Sequence, residues 1–180
     1  MTELTNIVRE LAESSGGIGA PALDRLICAV EGHRRIFVYG TGRSGLMLKA
    51  FAMRLMQLGY DAYVVGETTT PSVQNGDLLI LASASGETAS VVLIAESALK
   101  QGVDLFVVSS TPDSRLGTLH APDIIIKSGT KFSSSQASAQ PLGSLFEQML
   151  LVLFDGIALR VMTRQVGSGS EMARRHASLE

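Results

Sequence analysis

Apolar residues recur at helical spacing from the start of the chain, at Leu4, Ile7, Val8 and Leu11, and predict a helix over about 2–14 capped by Thr2. Ser15-Gly16-Gly17-Ile18-Gly19 breaks it, and a second helix runs from about Pro21 to Glu31 with proline in its first turn. The pattern then changes to short apolar runs, which read as buried strands at 35–39, 61–65, 77–82, 103–108 and 122–127. Between them, helical spacing returns over 46–58, stopped by Gly59, and over 88–100. Residues 109–114 begin a short helix or turn. Residues 128–140 are small and polar. Pro141-Leu142-Gly143 then opens a long helix to about Arg164 that is apolar nearly all round, so it must be buried against the sheet and a partner chain. Gly167-Ser168-Gly169-Ser170 breaks it, and a final helix covers about 170–178.

Five strands alternating with helices predict one α/β domain over 1–180, a five-stranded parallel sheet with helices on both faces. Two amphipathic helices precede the first strand and are more than a minimal α/β unit requires. Ligands of such sheets bind outside the carboxyl ends of the strands, where the strand order switches.

Composition narrows the function classes. A length of 180 residues supports one substantial core, and 46% hydrophobic with 18% charged residues marks a globular chain. A net charge of −2 without a basic run argues against nucleic acid as the main partner. The longest apolar run, 149–154, falls far short of the ~20 residues that span a bilayer. The first residues show no signal-peptide pattern, so a cytoplasmic protein is expected. The single cysteine, Cys28, excludes an internal disulfide and reads as core filler beside Leu26, Ile27 and Val30. Low charge and positive mean hydropathy point to a homo-oligomer.

Two loops carry the candidate chemistry. Ser83-Ala84-Ser85-Gly86-Glu87-Thr88 lies between a strand and a helix and offers three hydroxyls, a flexible backbone and a helix N-terminus, all suited to an anion. It has no lysine, the usual cation for a transferring phosphoryl group, so it suits the anchoring of a phosphate that does not react. Gly40-Thr41-Gly42-Arg43-Ser44-Gly45 follows the first strand. Its spacing matches the dinucleotide fingerprint, and Glu67 stands roughly where the acidic partner would. Arg43-Ser44 inside that loop, and the second hydroxyl-rich loop, favour a phosphate site over NAD. Glu87 in the second loop would repel an anion, so it is expected to point outward.

Glu147 lies early in the long apolar helix, where burial would raise its pKa towards that of a general base; helix capping is the alternative. Of the three histidines, His33 reads as a solvated turn residue and His120 as locally bonded, while His176 lies near the end of the chain, where a surface residue is the usual case. No metal-ligand spacing joins them, and no cofactor is expected.

The loops 40–45 and 83–88 resemble the two signature loops of sugar isomerase (SIS) domains. Val65-Gly66-Glu67-Thr68-Thr69-Thr70-Pro71, Pro141-Leu142-Gly143 with Phe146-Glu147-Gln148, and Arg175-His176-Ala177-Ser178-Leu179-Glu180 resemble the 6-phospho-3-hexuloisomerase branch. The resemblance implies a flavodoxin-like sheet, a homotetramer, and interconversion of hex-3-ulose 6-phosphate with fructose 6-phosphate in formaldehyde fixation. It assigns Ser83, Ser85 and Thr88 to the phosphate, lines the same pocket with Ser44, and makes Glu147 the base. Gly42 and Arg43 of the same loop are further candidate binding residues, with Arg43 either offsetting charge near the site or standing as a plain surface arginine. His176 would reach a site from a neighbouring subunit. Three readings compete: another phosphosugar isomerase, a non-catalytic sugar-phosphate sensor, and a dinucleotide-binding module.

Overall fold

The computed structural model describes residues 2–128, 138–164 and 168–178. Most of the polar stretch 128–140 and residues 165–167, with Gly167 of the break that follows the long helix, lie outside them. Two helices, α1 (Glu3–Ser15) and α2 (Ala20–Gly32), precede β1 (Arg35–Tyr39). Then follow α3 (Gly42–Leu58), β2 (Asp61–Val64), β3 (Leu78–Ser83), α4 (Ala89–Lys100), β4 (Asp104–Ser109), α5 (Arg115–Leu119) and β5 (Ile124–Ile125). The chain closes with α6 (Ser144–Arg164) and α7 (Ser168–Arg175).

The five strands pair in parallel in the order β2-β1-β3-β4-β5. This is the flavodoxin-like order, and its switch point falls between β1 and β3. Alternate residues of each strand serve opposite faces. Ile36, Val38, Leu78 and Ile80 pack with α2, α3 and α6, while Phe37, Leu79, Leu81 and Val107 pack with α4 and α5. Phe51 of α3 stacks on Phe154 of α6 with ring centroids 4.3 Å apart, which locks together the two helices that carry the site. The apolar character of α6 is thus mostly absorbed within one chain, although Leu151, Val152 and Leu159 stay exposed.

Four expectations are corrected. The helix predicted from Leu46 starts at Gly42, so most of the glycine loop forms its first turn. The fifth strand has two residues rather than six, because Pro122 has no N–H and the Asp123 carboxylate, not a backbone carbonyl, accepts from the Val107 amide at 2.8 Å. Cys28 is exposed rather than in the core, since α2 turns 100° per residue and buries Leu26, Ile27 and Val30 instead. His33 is not a free turn residue: its ring bonds the Ala29 carbonyl at 2.7 Å and the Asp104 carboxylate at 2.9 Å, tying α2 to β4. His120 does bond locally, to Asp123 at 3.1 Å.

Candidate active site

Glycine brings β1 and α3 into contact. A Cβ on Gly45 would lie 2.4 Å from the Gly40 carbonyl oxygen, and one on Gly40 would lie 2.8 Å from Leu48. With both side chains absent, α3 starts directly at the carboxyl end of β1 and Ser44 faces the loop after β3. Gly86 has φ +64°, in the left-handed region, and a Cβ there would strike Ser114. The hydroxyl loop therefore folds back tightly on the start of α5.

Within that loop, the Ser83 and Thr88 hydroxyls lie 3.2 Å apart, and Ser83 Oγ accepts from the Gly86 amide at 3.2 Å. Ser85 Oγ accepts from the Glu87 amide at 3.2 Å. Thr88 and Thr41 are the N-cap residues of α4 and α3, and neither side chain caps its own helix. Two helix N-termini thus turn their first amides towards the switch point, with the positive ends of their dipoles. Glu87 points away, as expected, but its partner is unforeseen: its carboxylate accepts from the Arg115 amide at 2.8 Å and so caps α5.

Glu147 enters from the first turn of α6 and is buried. The Arg43 guanidinium is its counter-charge, with Nε 3.0 Å from Oε2. Arg43 also donates to Ser144 Oγ at 3.4 Å, and Ser144 Oγ donates to the Pro141 carbonyl at 2.8 Å. Glu147 is therefore buried with a cation beside it, a partner not named from the sequence. The turn before α6 contains Leu142 in the left-handed region, with φ 56°, a conformation that costs about 1–3 kcal/mol outside glycine. Upstream, Glu10 of α1 accepts from Ser138 Oγ at 2.6 Å, the Ala139 amide at 2.8 Å and Gln140 Nε2 at 2.9 Å. These bonds hold the entry to α6 in place, a role for α1 that the sequence did not reveal.

A cavity of about 290 Å³ joins these parts. Ser83, Ser85 and Thr88 line one wall, Thr41 and Ser44 another, and Gly143, Phe146 and Glu147 the third. Hydroxyls and helix termini can hold an anion at one end, while a carboxylate faces the remainder. A larger cavity, about 750 Å³, opens by Leu78 and Asp104 at the amino ends of the strands. Open α/β sheets bind ligands at the opposite end, so the smaller cavity is the candidate site.

Three predicted site residues, Gly42, Arg43 and His176, lie outside that cavity's lining. Gly42 is exposed at the tip of the turn with φ +57°. His176 is exposed beyond α7, next to Arg175, which donates to the Gln57 carbonyl and lies over Gly59. That anchors it at the C-terminal end of α3, whereas Arg43 and Glu147 meet at the N-terminal end. At about 1.5 Å per residue, the length of α3 places them roughly 24 Å apart. Within one chain His176 does not reach Glu147. Glu67 pairs with Lys49 at 3.3 Å on the surface.

Residues 30–154 match the SIS domain family model. The chain is 38% identical to a protein of Bacillus subtilis named 3-hexulose-6-phosphate isomerase, covering 98% of this chain and 97% of that one. It is also 38% identical to a protein of the same name from Mycobacterium gastri, over 100% and 92% of the two chains. A hypothetical protein of Methanococcus jannaschii superposes with a TM-score of 0.83 at 32% identity over the full length of both chains; its structure is described as inferring a molecular function of 3-hexulose-6-phosphate isomerase. With the two signature loops at the switch point and likeness along its whole length, the chain belongs to the SIS domain family, and groups within it with proteins named 3-hexulose-6-phosphate isomerase.

Proposed function

We propose that this protein interconverts D-arabino-hex-3-ulose 6-phosphate and D-fructose 6-phosphate, the second step of formaldehyde fixation in the ribulose monophosphate pathway. The observation that carries the proposal is the single cavity in which Ser83, Ser85 and Thr88 face Glu147. The hydroxyls and the N-termini of α3 and α4 anchor the phosphate. Ser44 completes that end of the cavity.

The Glu147 carboxylate removes the proton from C2 of the 3-ulose. The C–H electron pair forms the C2=C3 double bond, and the C3 carbonyl becomes an enediolate oxygen. The proton on O2 passes to O3, Glu147 returns its proton at C3, and the carbonyl now stands at C2. Atoms and electrons balance with no external reagent. Donors near the enediolate oxygens stabilise the intermediate. Because O6 carries the phosphate, the 3-ulose cannot close a five-membered ring through it and enters open-chain. Ring opening is needed only from the fructose 6-phosphate side.

The protein acts as a cytoplasmic homotetramer on this reading, with no nucleic-acid partner. Support for assembly comes from apolar side chains left on the surface, among them Leu142, Leu93 and Leu46 at 78%, 65% and 57% exposure. In such an assembly His176 of a neighbouring copy supplies the acid for ring opening. Light scattering distinguishes a tetramer of the 19.0 kDa chain from a monomer.

The test is direct. Purified protein given hex-3-ulose 6-phosphate produces fructose 6-phosphate without added metal or nucleotide. Tight fructose 6-phosphate binding without turnover supports a sensor instead, and turnover of an aldose phosphate supports another phosphosugar isomerase.

A further inference from the structure

We propose that Arg43 is a positioning residue for Glu147 and not a ligand of the substrate phosphate; this rests on the isomerase reading above. Thr41 and Ser44 line the cavity, but Arg43 between them does not. Its side chain leaves the α3 N-terminus and crosses to the first turn of α6. There its guanidinium makes two contacts at once, Nε to Glu147 Oε2 at 3.0 Å and an NH group to Ser144 Oγ at 3.4 Å. Ser144 is itself held by the Pro141 carbonyl at 2.8 Å. The planar guanidinium is thus clamped at two points, and it holds one carboxylate oxygen. Oε1 is left as the oxygen that takes the proton.

The same cation serves both halves of the reaction. Before proton transfer, Arg43 offsets the charge of a carboxylate whose side chain is only 9% exposed, which would otherwise be costly to bury. After transfer Glu147 is neutral and the negative charge sits on the enediolate. Arg43 stays in place, so the positive charge that stabilised the base now favours the intermediate without rearrangement. A phosphate ligand would act differently, contributing equally to the ground and transition states and appearing in KM.

Steady-state kinetics of Arg43→Gln, Arg43→Lys and Arg43→Ala test this. Arg43→Gln lowers kcat about a hundredfold and leaves KM within about threefold. Arg43→Lys keeps the charge but loses the two-point clamp, and recovers part of kcat. Guanidinium chloride far below denaturing concentration raises the kcat of Arg43→Ala and not of the wild type. A raised KM with unchanged kcat makes Arg43 a substrate ligand and overturns the inference. So does wild-type behaviour of Arg43→Gln. A loss that neither lysine nor guanidinium relieves marks a merely structural role and overturns it too. A wild-type protein inert towards hex-3-ulose 6-phosphate refutes the isomerase reading itself, and this inference with it.

Discussion

The hydroxyls of Ser83 and Thr88 lie 3.2 Å apart, one at the end of β3 and the other at the N-cap of α4. They are held to each other across a turn whose glycine has φ +64°. A phosphate oxygen entering between them replaces a bond between neutral groups with bonds to an anion, which are about twice as strong. Ser83→Ala removes one such donor. It raises the KM for hex-3-ulose 6-phosphate about tenfold, the value of one hydrogen bond to a charged group, and changes kcat much less. Thr88→Val behaves in the same direction. Michaelis–Menten analysis of both variants checks this.

Gly45 is set by steric contact rather than chemistry. Gly45→Ala places a Cβ 2.4 Å from the Gly40 carbonyl, a backbone atom that cannot swing aside. The variant loses about 2–3 kcal/mol of stability, a fall in Tm of roughly 5–10 °C. Thermal unfolding followed by circular dichroism reads it.

His33 gives a pH dependence. Burial pushes its pKa down, but the hydrogen bonds to Asp104 and the Ala29 carbonyl outweigh that and hold it above the ordinary 6.5. A raised folded value means that the native state binds the proton more tightly than the unfolded chain. Its contribution is complete below about pH 6.5 and is lost as pH rises through the folded value. Urea unfolding shows this decline in the wild type and a flatter curve in Asp104→Asn, the two converging at high pH.

Glu10 works with the opposite sign. Bonds from Ser138, Gln140 and the Ala139 amide hold its carboxyl below the ordinary 4.5. A lowered folded value gives stability that is present above 4.5 and is lost as pH falls through the folded value. Glu10→Gln is therefore less stable than the wild type at neutral pH, and the difference closes in acid. Urea unfolding at pH 7 and pH 3 separates the two cases.

What the sequence disclosed followed from how local each signal is. The loop 83–88 was legible because its hydroxyls and glycine are adjacent in the chain. The long helix was legible because its apolar run has no other use, and Glu147 stood out within it. The Arg43–Glu147 pair was not legible, because its parts sit in different helices; Arg43 and its second partner Ser144 are 101 positions apart. The His33–Asp104 bond spans 71 positions and was missed for the same reason. Cys28 was misplaced because spacing fixes a helical face only to within one step of 100°. The short fifth strand escaped notice because the Asp123 side chain stands in for a strand acceptor.

In the proposed reaction the hydroxyl loop holds the sugar phosphate while Glu147 moves its proton. Glu147→Gln tests it most directly, because the amide keeps the shape of the side chain and cannot take the proton. Turnover of hex-3-ulose 6-phosphate and the Kd for fructose 6-phosphate are measured on the same preparation. The expected result is a kcat lower by about a thousandfold or more with a Kd within about threefold of the wild type. Retained turnover in Glu147→Gln would contradict it.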